Sequence, residues 1–285
     1  MTADDDRIKA FRPELASTAR IYNYLLGGKD HYPVDRLAAE EILSVAPDVR
    51  QAAVANRAFL RRAVHFLVTD AGVRQFIEIG AGLPAPENVH EIAQRSVPDA
   101  RVVYVDTDPV VIVHARNMVR GVPRTAIVDH DLREPAAIHG DPELTRLIDV
   151  AEPTAVLLAN VLANVADESD PAALISALLA PFPAGSFLAL SHVTLDGTPE
   201  SAQAAIKVLD RAGISAHPRT RDQVRALLAG LELVEPGLVW APEWRPDPGT
   251  GLVDDPGRSH VYAAVGRKAR DTGPGTIGPG SWQRA

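Results

Sequence analysis

The sequence predicts an α/β protein: a mostly parallel sheet closed by an antiparallel last strand, preceded by a helical N-terminal segment. Three observations lead there. From Val73 onward, short β-branched runs alternate with helical segments, the pattern of repeated strand–helix–strand units. Before that point, residues 1–72 carry helical periodicity and no strand-like run. Near the end, the runs 231–240 and 258–265 follow one another with little helix between them, so they can pair antiparallel and close the sheet edge.

The elements follow in order. Ser17 or Thr18 can cap a first helix whose apolar face is Ile21, Tyr22, Leu25 and Leu26. Gly27 and Gly28 stop it, since glycine accepts the left-handed conformation at a helix end. Asp35 can cap a second helix running through Leu43 to Pro47, and a third runs over 48–68 with Val54, Phe59, Leu60, Val64 and Leu67 on one face. Strands are expected at 74–79, 101–105, 125–128, 154–159 and 186–191, separated by helices near 87–96, 109–119, 141–149 and 171–180. Right-handed crossovers place those helices on both faces of the sheet. Two more helices are expected at 199–211 and 221–229, the latter capped by Thr220. Residues 268–285 are rich in Gly and Pro and are expected to be a disordered tail. The division is thus a helical cap at 1–72, a sheet domain at 73–267 and the tail.

Composition narrows the function. The chain has 285 residues, 46% of them hydrophobic, a net charge of −8 and no cysteine. One large α/β domain can be built from that. Acidity without a Lys/Arg block argues against nucleic acid as a partner, because phosphate contacts need clustered positive charge. Disulfides, thiolate metal sites and cysteine nucleophiles are excluded. The acidic N-terminus lacks a secretory apolar stretch, and no run approaches the ~18 residues of a membrane span. A cytoplasmic protein with no membrane partner is expected, with a homodimer left open.

The chemistry gathers at three strand ends. The first strand runs into Glu78-Ile79-Gly80-Ala81-Gly82, the second into Asp106-Thr107-Asp108-Pro109, the third into Asp129-His130-Asp131-Leu132. Each has an ordinary explanation alone: a plain glycine turn, a cap before Pro109, a turn aspartate. Together they meet in the crevice where open α/β sheets bind ligands. An acid after the second strand can accept from ribose hydroxyls, and one after the third from an adenine amino group.

Gly80-x-Gly82-x-x-Ala85 also satisfies a dinucleotide fingerprint, with Asp106 about 20 residues on. Pro84 and Pro86 oppose that reading, because they remove N–H groups where a pyrophosphate needs them. Glu78 could instead meet a ligand ammonium. S-adenosylmethionine, with an amino acid end and no phosphate, suits such a turn better.

The residues also resemble an actinobacterial S-adenosyl methyltransferase family, formerly a domain of unknown function, over about Thr18 to Lys268. The most specific stretch is Ala19-Arg20-Ile21-Tyr22-Asn23-Tyr24-Leu25-Leu26-Gly27-Gly28-Lys29-Asp30. Further matches are 55–62, 78–90, 103–109, 131–135, 190–192 and 231–247. The resemblance implies a Rossmann-like seven-stranded methyltransferase sheet with the helical cap over the cofactor site. S-adenosylmethionine would then be held by Arg20, Tyr22, Gly27 and Gly28 of the cap and by Glu78, Gly80, Ala81, Gly82, Asp106, Thr107, Asp131, Leu132 and Asn160. His31, Leu162 and Asn164 would line the acceptor. The chain departs from the family pattern at Asn23, where Asp is usual, and at Leu162-Ala163-Asn164-Val165, where a Leu-His-Phe-like stretch is usual.

The implied activity is methyl transfer by SN2 displacement to a small aromatic or heteroaromatic natural product of secondary metabolism, with an indole as first choice. Tyr22 and Tyr24 point apart on a helix, so one is expected in the core and one at the site, where an aromatic face attracts a sulfonium. His192, placed at the tip of strand five, is the candidate base because imidazole titrates near neutral pH; it could equally hydrogen-bond a loop. Tyr24 is the second catalytic candidate. No metal spacing is found. Two alternatives stay open: a cofactor-binding sensor without catalysis, motivated by the lost loop histidine, and an NAD-dependent oxidoreductase, motivated by the glycine fingerprint.

Overall fold

The computed structural model describes residues 12–197, 199–247 and 255–269. Three helices come first: α1 (Thr18–Leu25), α2 (Pro33–Val45) and α3 (Val49–Thr69). The alternating part follows: β1 (Gln75–Ile79), α4 (Val89–Ser96), β2 (Arg101–Asp106), α5 (Pro109–Val119), β3 (Thr125–Asp129), α6 (Pro135–Gly140), α7 (Pro142–Leu147), β4 (Thr154–Ala159), α8 (Pro171–Leu179) and β5 (Phe187–Val193). Then come α9 (Pro199–Arg211), α10 (Arg221–Leu227), β6 (Leu231–Leu233), β7 (Val239–Trp240) and β8 (Val261–Lys268).

The strands lie in the order β3-β2-β1-β4-β5-β8-β6, with the two-residue β7 also paired to β8. Neighbours from β3 through β5 are parallel, and β8 runs antiparallel to β5. The seven-strand expectation therefore holds along the path, with β7 as a short addition. Strand order reverses between β1 and β4, so their C-terminal ends open a crevice.

Alternation along the strands sorts the core onto two faces. Ile77, Ile79, Val103, Val105, Val156 and Leu158 pack on one side with residues of α6–α8 and α10. Phe76, Val102, Tyr104, Ala155 and Leu157 pack on the other with Phe59, Leu60, Ala63, Val64 and Leu67 of α3. Glu78 lies between Ile77 and Ile79, so it shares the α3 face with Phe76. A third apolar cluster joins Ile21, Leu25, Ala39, Ile42 and Ala53 to Ala205 and Val208. Helix α9 thus docks on α1–α3, although it arrives from beyond β5. Its helical period was legible in the sequence; its destination was not.

Three local expectations need correction. Val54 is 53% exposed, so it falls outside the packed face of α3, whose buried stripe includes Ala52, Asn56, Phe59 and Ala63. Asp35 does not precede α2 as its cap; it sits inside the first turn and accepts from the Tyr32 N–H at 2.8 Å, while pairing with Arg20 at 2.7 Å. β5 continues through Val193, so His192 lies within the strand and is fully buried. The expected tail falls outside the described residues from 270 onward.

Candidate functional site

A cavity of about 520 Å3 opens over the C-terminal ends of β1–β4, in the size range of small-ligand sites. Its floor is Glu78–Gly82, its sides Asp106–Asp108 and His130–Arg133, and its far wall Asn160, Val161, Asn164 and Val165. Helix α1 and its approach contribute Ser17, Thr18 and Tyr22; α3 contributes Asn56 and Arg57.

Glu78 is the least ordinary group here. It is 3% exposed, and no hydrogen bond to its carboxylate is found among the described residues. Burial pushes its carboxyl up to about 7, against a partial lowering by Arg57 and a small further rise from Asp106. A buried carboxyl without a donor is costly. A ligand ammonium would supply the missing charge and N–H groups, so the residue fits the amino acid end of S-adenosylmethionine.

The glycine turn and Asp106 form one unit. The Asp106 carboxylate accepts from the N–H groups of Gly82 at 2.9 Å, Thr107 at 2.8 Å and Asp108 at 2.9 Å. Burial raises its pKa, and those N–H donors oppose the rise. Gly80 has φ +71°, and a Cβ there would lie 2.3 Å from Val161 Cγ2. The turn therefore needs glycine both for its backbone and for the close approach of the loop after β4. Helix α4 starts only at Val89, behind the Asn88/Glu91 capping box. Its N-terminus is not the one that follows the glycines directly, as a pyrophosphate site requires.

Asp131 lines the cavity, with its Oδ1 accepting from Arg133 Nε at 2.9 Å and its Oδ2 from Arg133 Nη2 at 2.5 Å. This pairing holds its carboxyl below the usual range. Ala81, Thr107 and Leu132 line the same space. Asp108 serves the scaffold. It caps α5 through the Val110 N–H and accepts the Ser17 hydroxyl at 2.6 Å, tying the cap to the sheet.

The two tyrosines separate as the helix geometry requires. Tyr22 lines the cavity; its hydroxyl donates to the Ala53 carbonyl at 3.0 Å and accepts from Asn56 Nδ2 at 3.0 Å. Burial pushes its pKa up to about 12, so it stays protonated. Tyr24 instead reaches Glu40 and meets the His31 ring edge-on at 4.9 Å. Neither Tyr24 nor His31 lines this cavity, which corrects their expected catalytic and acceptor roles.

His192 is corrected as well. Its Nδ1 donates to the Val193 carbonyl at 2.8 Å, and its Nε2 accepts from Arg219 Nη1 at 2.7 Å. Burial, aided by the Arg219 charge, pushes its pKa down to about 4. With Nδ1 donating, the Nε2 lone pair already accepting from Arg219 and the ring away from the cavity, it has no free lone pair with which to take a proton from a ligand. Arg219 also donates to Leu162 O at 2.9 Å, Val165 O at 2.7 Å and Asp167 at 2.7 Å. The pair thus clamps the loop that carries Asn160 and Asn164.

Arg20, Gly27, Gly28 and Leu162 do not line the cavity either. Arg20 is buried against Asp35, Gly27 closes α1, Gly28 packs on the Asn23 amide, and Leu162 is core. In this group the structural duty explains the residue. Sequence reading left Asn56, Arg57 and Arg219 without a role. Asn56 had a signal, since it is the polar member of an apolar stripe; its Oδ1 accepts the Ser191 hydroxyl at 2.5 Å. Arg219 had none, because its partners come from a loop more than 50 residues away.

A family model described as S-adenosyl methyltransferase matches residues 2–269. The structure of a DUF574 family protein from Streptomyces avermitilis is 38% identical, covering 90% of this chain and 98% of that one, with a TM-score of 0.87. A putative methyltransferase from Thermobifida fusca is 35% identical, covering 90% and 96%, with a TM-score of 0.84. An O-methyltransferase family protein from Burkholderia thailandensis shares the fold at 15% identity and a TM-score of 0.50, covering 80% and 62%. No curated protein matches the chain.

Proposed function

The chain belongs to the S-adenosyl methyltransferase family, and from that premise we propose that it methylates a small aromatic or heteroaromatic acceptor, an indole being the first to test. The observation that carries the reading is Glu78: a buried carboxyl without a hydrogen-bonding partner among the described residues, in a cavity it shares with Asp106 and Asp131.

Each acid then has its own part of the cofactor to hold. Glu78 takes the ammonium of the amino acid end. Asp106, fixed by three N–H groups, presents its remaining lone pairs to the ribose hydroxyls. Asp131 accepts from the adenine amino group. Bound there, the cofactor supplies an activated methyl on sulfonium with its own leaving group. What the chain adds is position and dryness. The Ser17–Asp108 bond seats the cap on the sheet, and the Arg219 clamp sets the wall formed by Asn160 and Asn164.

Neither Tyr22 nor His192 is set up as a base for the acceptor: Tyr22 lines the cavity but is held protonated, and His192 lies off it with both ring nitrogens engaged. An acceptor with a ready lone pair or an electron-rich ring carbon, which loses its proton after attack, suits this wall best.

Two measurements test the reading. Calorimetry against S-adenosylhomocysteine and NAD is expected to give binding of the first alone. Labelled methyl transfer, run over indoles, phenols and amines, is expected to find an acceptor among neutral aromatics. Tight NAD binding without S-adenosylhomocysteine binding would sink the reading. Cofactor binding with no transfer to any class would leave a sensor instead of an enzyme.

A further inference from the structure

Behind the cofactor cavity lies a second one, of about 160 Å3. Thr18, Tyr22, Asn56, Asn160, Asn164 and Ile214 line both, so they form a collar between the two. Past that collar the wall changes character. The larger cavity is bordered by Arg57, Glu78, Asp106, Asp108, Asp131 and Arg133. The smaller one has no Asp, Glu, Lys or Arg in its wall among the described residues. It is built from side chains such as Ile21, Leu25, Ile42, Ala53, Ala205 and Leu209, from α1, α2, α3 and α9. His260 also borders it, and burial lowers its pKa, against raising by Asp48 and Asp255 and a further lowering by Arg258.

A charged group moved into such a wall gives up its hydration for nothing of equal strength. An apolar ring gains from the same move by about 25 cal/mol per Å2 covered. Apolar cavities of roughly this size, about 150 Å3, accept a benzene-sized ring. The collar offers one well-placed donor. Asn160 sits at φ +62° at the end of β4, and its Oδ1 accepts the Val193 N–H at 2.9 Å. That bond fixes the amide, and no hydrogen bond from its NH2 is found among the described residues.

Resting on the reading that the larger cavity holds S-adenosylmethionine, we propose that the smaller cavity is the acceptor chamber, that it admits an uncharged, ring-sized apolar group, and that the Asn160 amide orients that group at the collar. The chain then selects its acceptor by the absence of charge on the ring that enters the chamber and on the substituent that meets the collar.

The test uses ligand-observed NMR titration of the full chain, with and without S-adenosylhomocysteine, against p-cresol, 4-methylbenzoate and 4-methylbenzylammonium. The expected result is binding of p-cresol, with both charged analogues at least tenfold weaker. Ala205→Phe fills the chamber and should weaken p-cresol at least tenfold while S-adenosylhomocysteine stays within threefold. Ala202→Trp, half-buried on the same helix, serves if Ala205→Phe does not fold. Asn160→Gly, which tolerates the left-handed backbone, should weaken p-cresol about fivefold. Undetectable p-cresol binding, equal binding of the charged analogues, or indifference to both filling variants would overturn the chamber while the cofactor reading stands. If S-adenosylhomocysteine itself fails to bind, the cofactor reading falls, and the titration of the ligand-free chain still decides the chamber.

Discussion

The ends of β1 and β5 each bury one titratable side chain, and the two differ in what they lack. Among the described residues, Glu78 faces a cavity and makes no hydrogen bond, whereas His192 lines neither cavity and has a partner on each ring nitrogen. Burial drives the first pKa up to about 7 and the second down to about 4. Both shifts have the same main cause, so a perturbed pKa alone does not separate a ligand-binding group from a structural one. Satisfaction does. The group whose hydrogen bonds remain unmade is the one waiting for something from outside.

The largest effect is expected on the satisfied side. Arg219→Ala removes five hydrogen bonds from the clamp and leaves His192 and the loop carbonyls without their donor. The expected loss of stability is about 3–5 kcal/mol, read as a fall of roughly 10 °C in Tm. A Tm within a degree or two of the parent would show that the clamp holds nothing.

Glu78→Ala should do the reverse. S-adenosylhomocysteine affinity is expected to drop about 100-fold, on the scale of losing one partner of a buried charge pair. Stability at pH 8 should not fall, because a buried charge without a partner has been removed. His192→Gln should leave that affinity within threefold. If both variants cost the same affinity, the distinction drawn between the two strand ends is lost.

How much of this was legible in the sequence follows the same divide. That Glu78, Asp106 and Asp131 would share one crevice was readable because each acid sits at a strand end, and the parallel order brings those ends together. The strands were readable from their β-branched runs, and α9 from its period. Arg20, Gly28 and His192 were misplaced for a shared reason. Asp35 satisfies Arg20, Arg219 satisfies His192, and the Asn23 side chain leaves no room for a Cβ on Gly28, in ways that only three-dimensional packing reveals. The destination of α9, and with it the second cavity, was invisible because a helix period says which face is apolar and not what it will meet.

A pH titration sharpens the comparison further. Glu78 has a folded value near 7 above its ordinary 4.5, so the ligand-free fold binds more protons than the unfolded chain there. Its contribution is present below pH 4.5 and is lost as pH rises to about 7. His192 has a folded value near 4 below its ordinary 6.5, so its contribution is present above pH 6.5 and is lost as pH falls to about 4. Each is worth of order 3 kcal/mol. The two windows do not overlap: between about pH 4.5 and 6.5 the Glu78 loss and the His192 gain offset each other, so the stability of ligand-free protein should be nearly level there, and Glu78→Gln should turn that level stretch into a rise with pH. Because an ammonium favours ionised Glu78, S-adenosylhomocysteine affinity should rise up to tenfold per pH unit toward 7 and then level off. Calorimetry in buffers of different ionisation enthalpy should show a proton released below that point.

The smallest effect belongs to Asp131. Its carboxylate is half-buried and already shared with Arg133, whose side chain is 60% exposed. A contact that must compete with an existing ion pair in partly solvated surroundings is worth at most about 1 kcal/mol. Asp131→Asn keeps an acceptor oxygen, so S-adenosylhomocysteine should bind only about two- to fivefold more weakly. The analogue with inosine in place of adenosine isolates the contact: it lacks the amino group that Asp131 is assigned. The parent should prefer the adenosine form about fivefold, and Asp131→Asn should lose most of that preference. A preference unchanged by the substitution would move adenine recognition elsewhere along the cavity wall, with Glu78 still holding the opposite end.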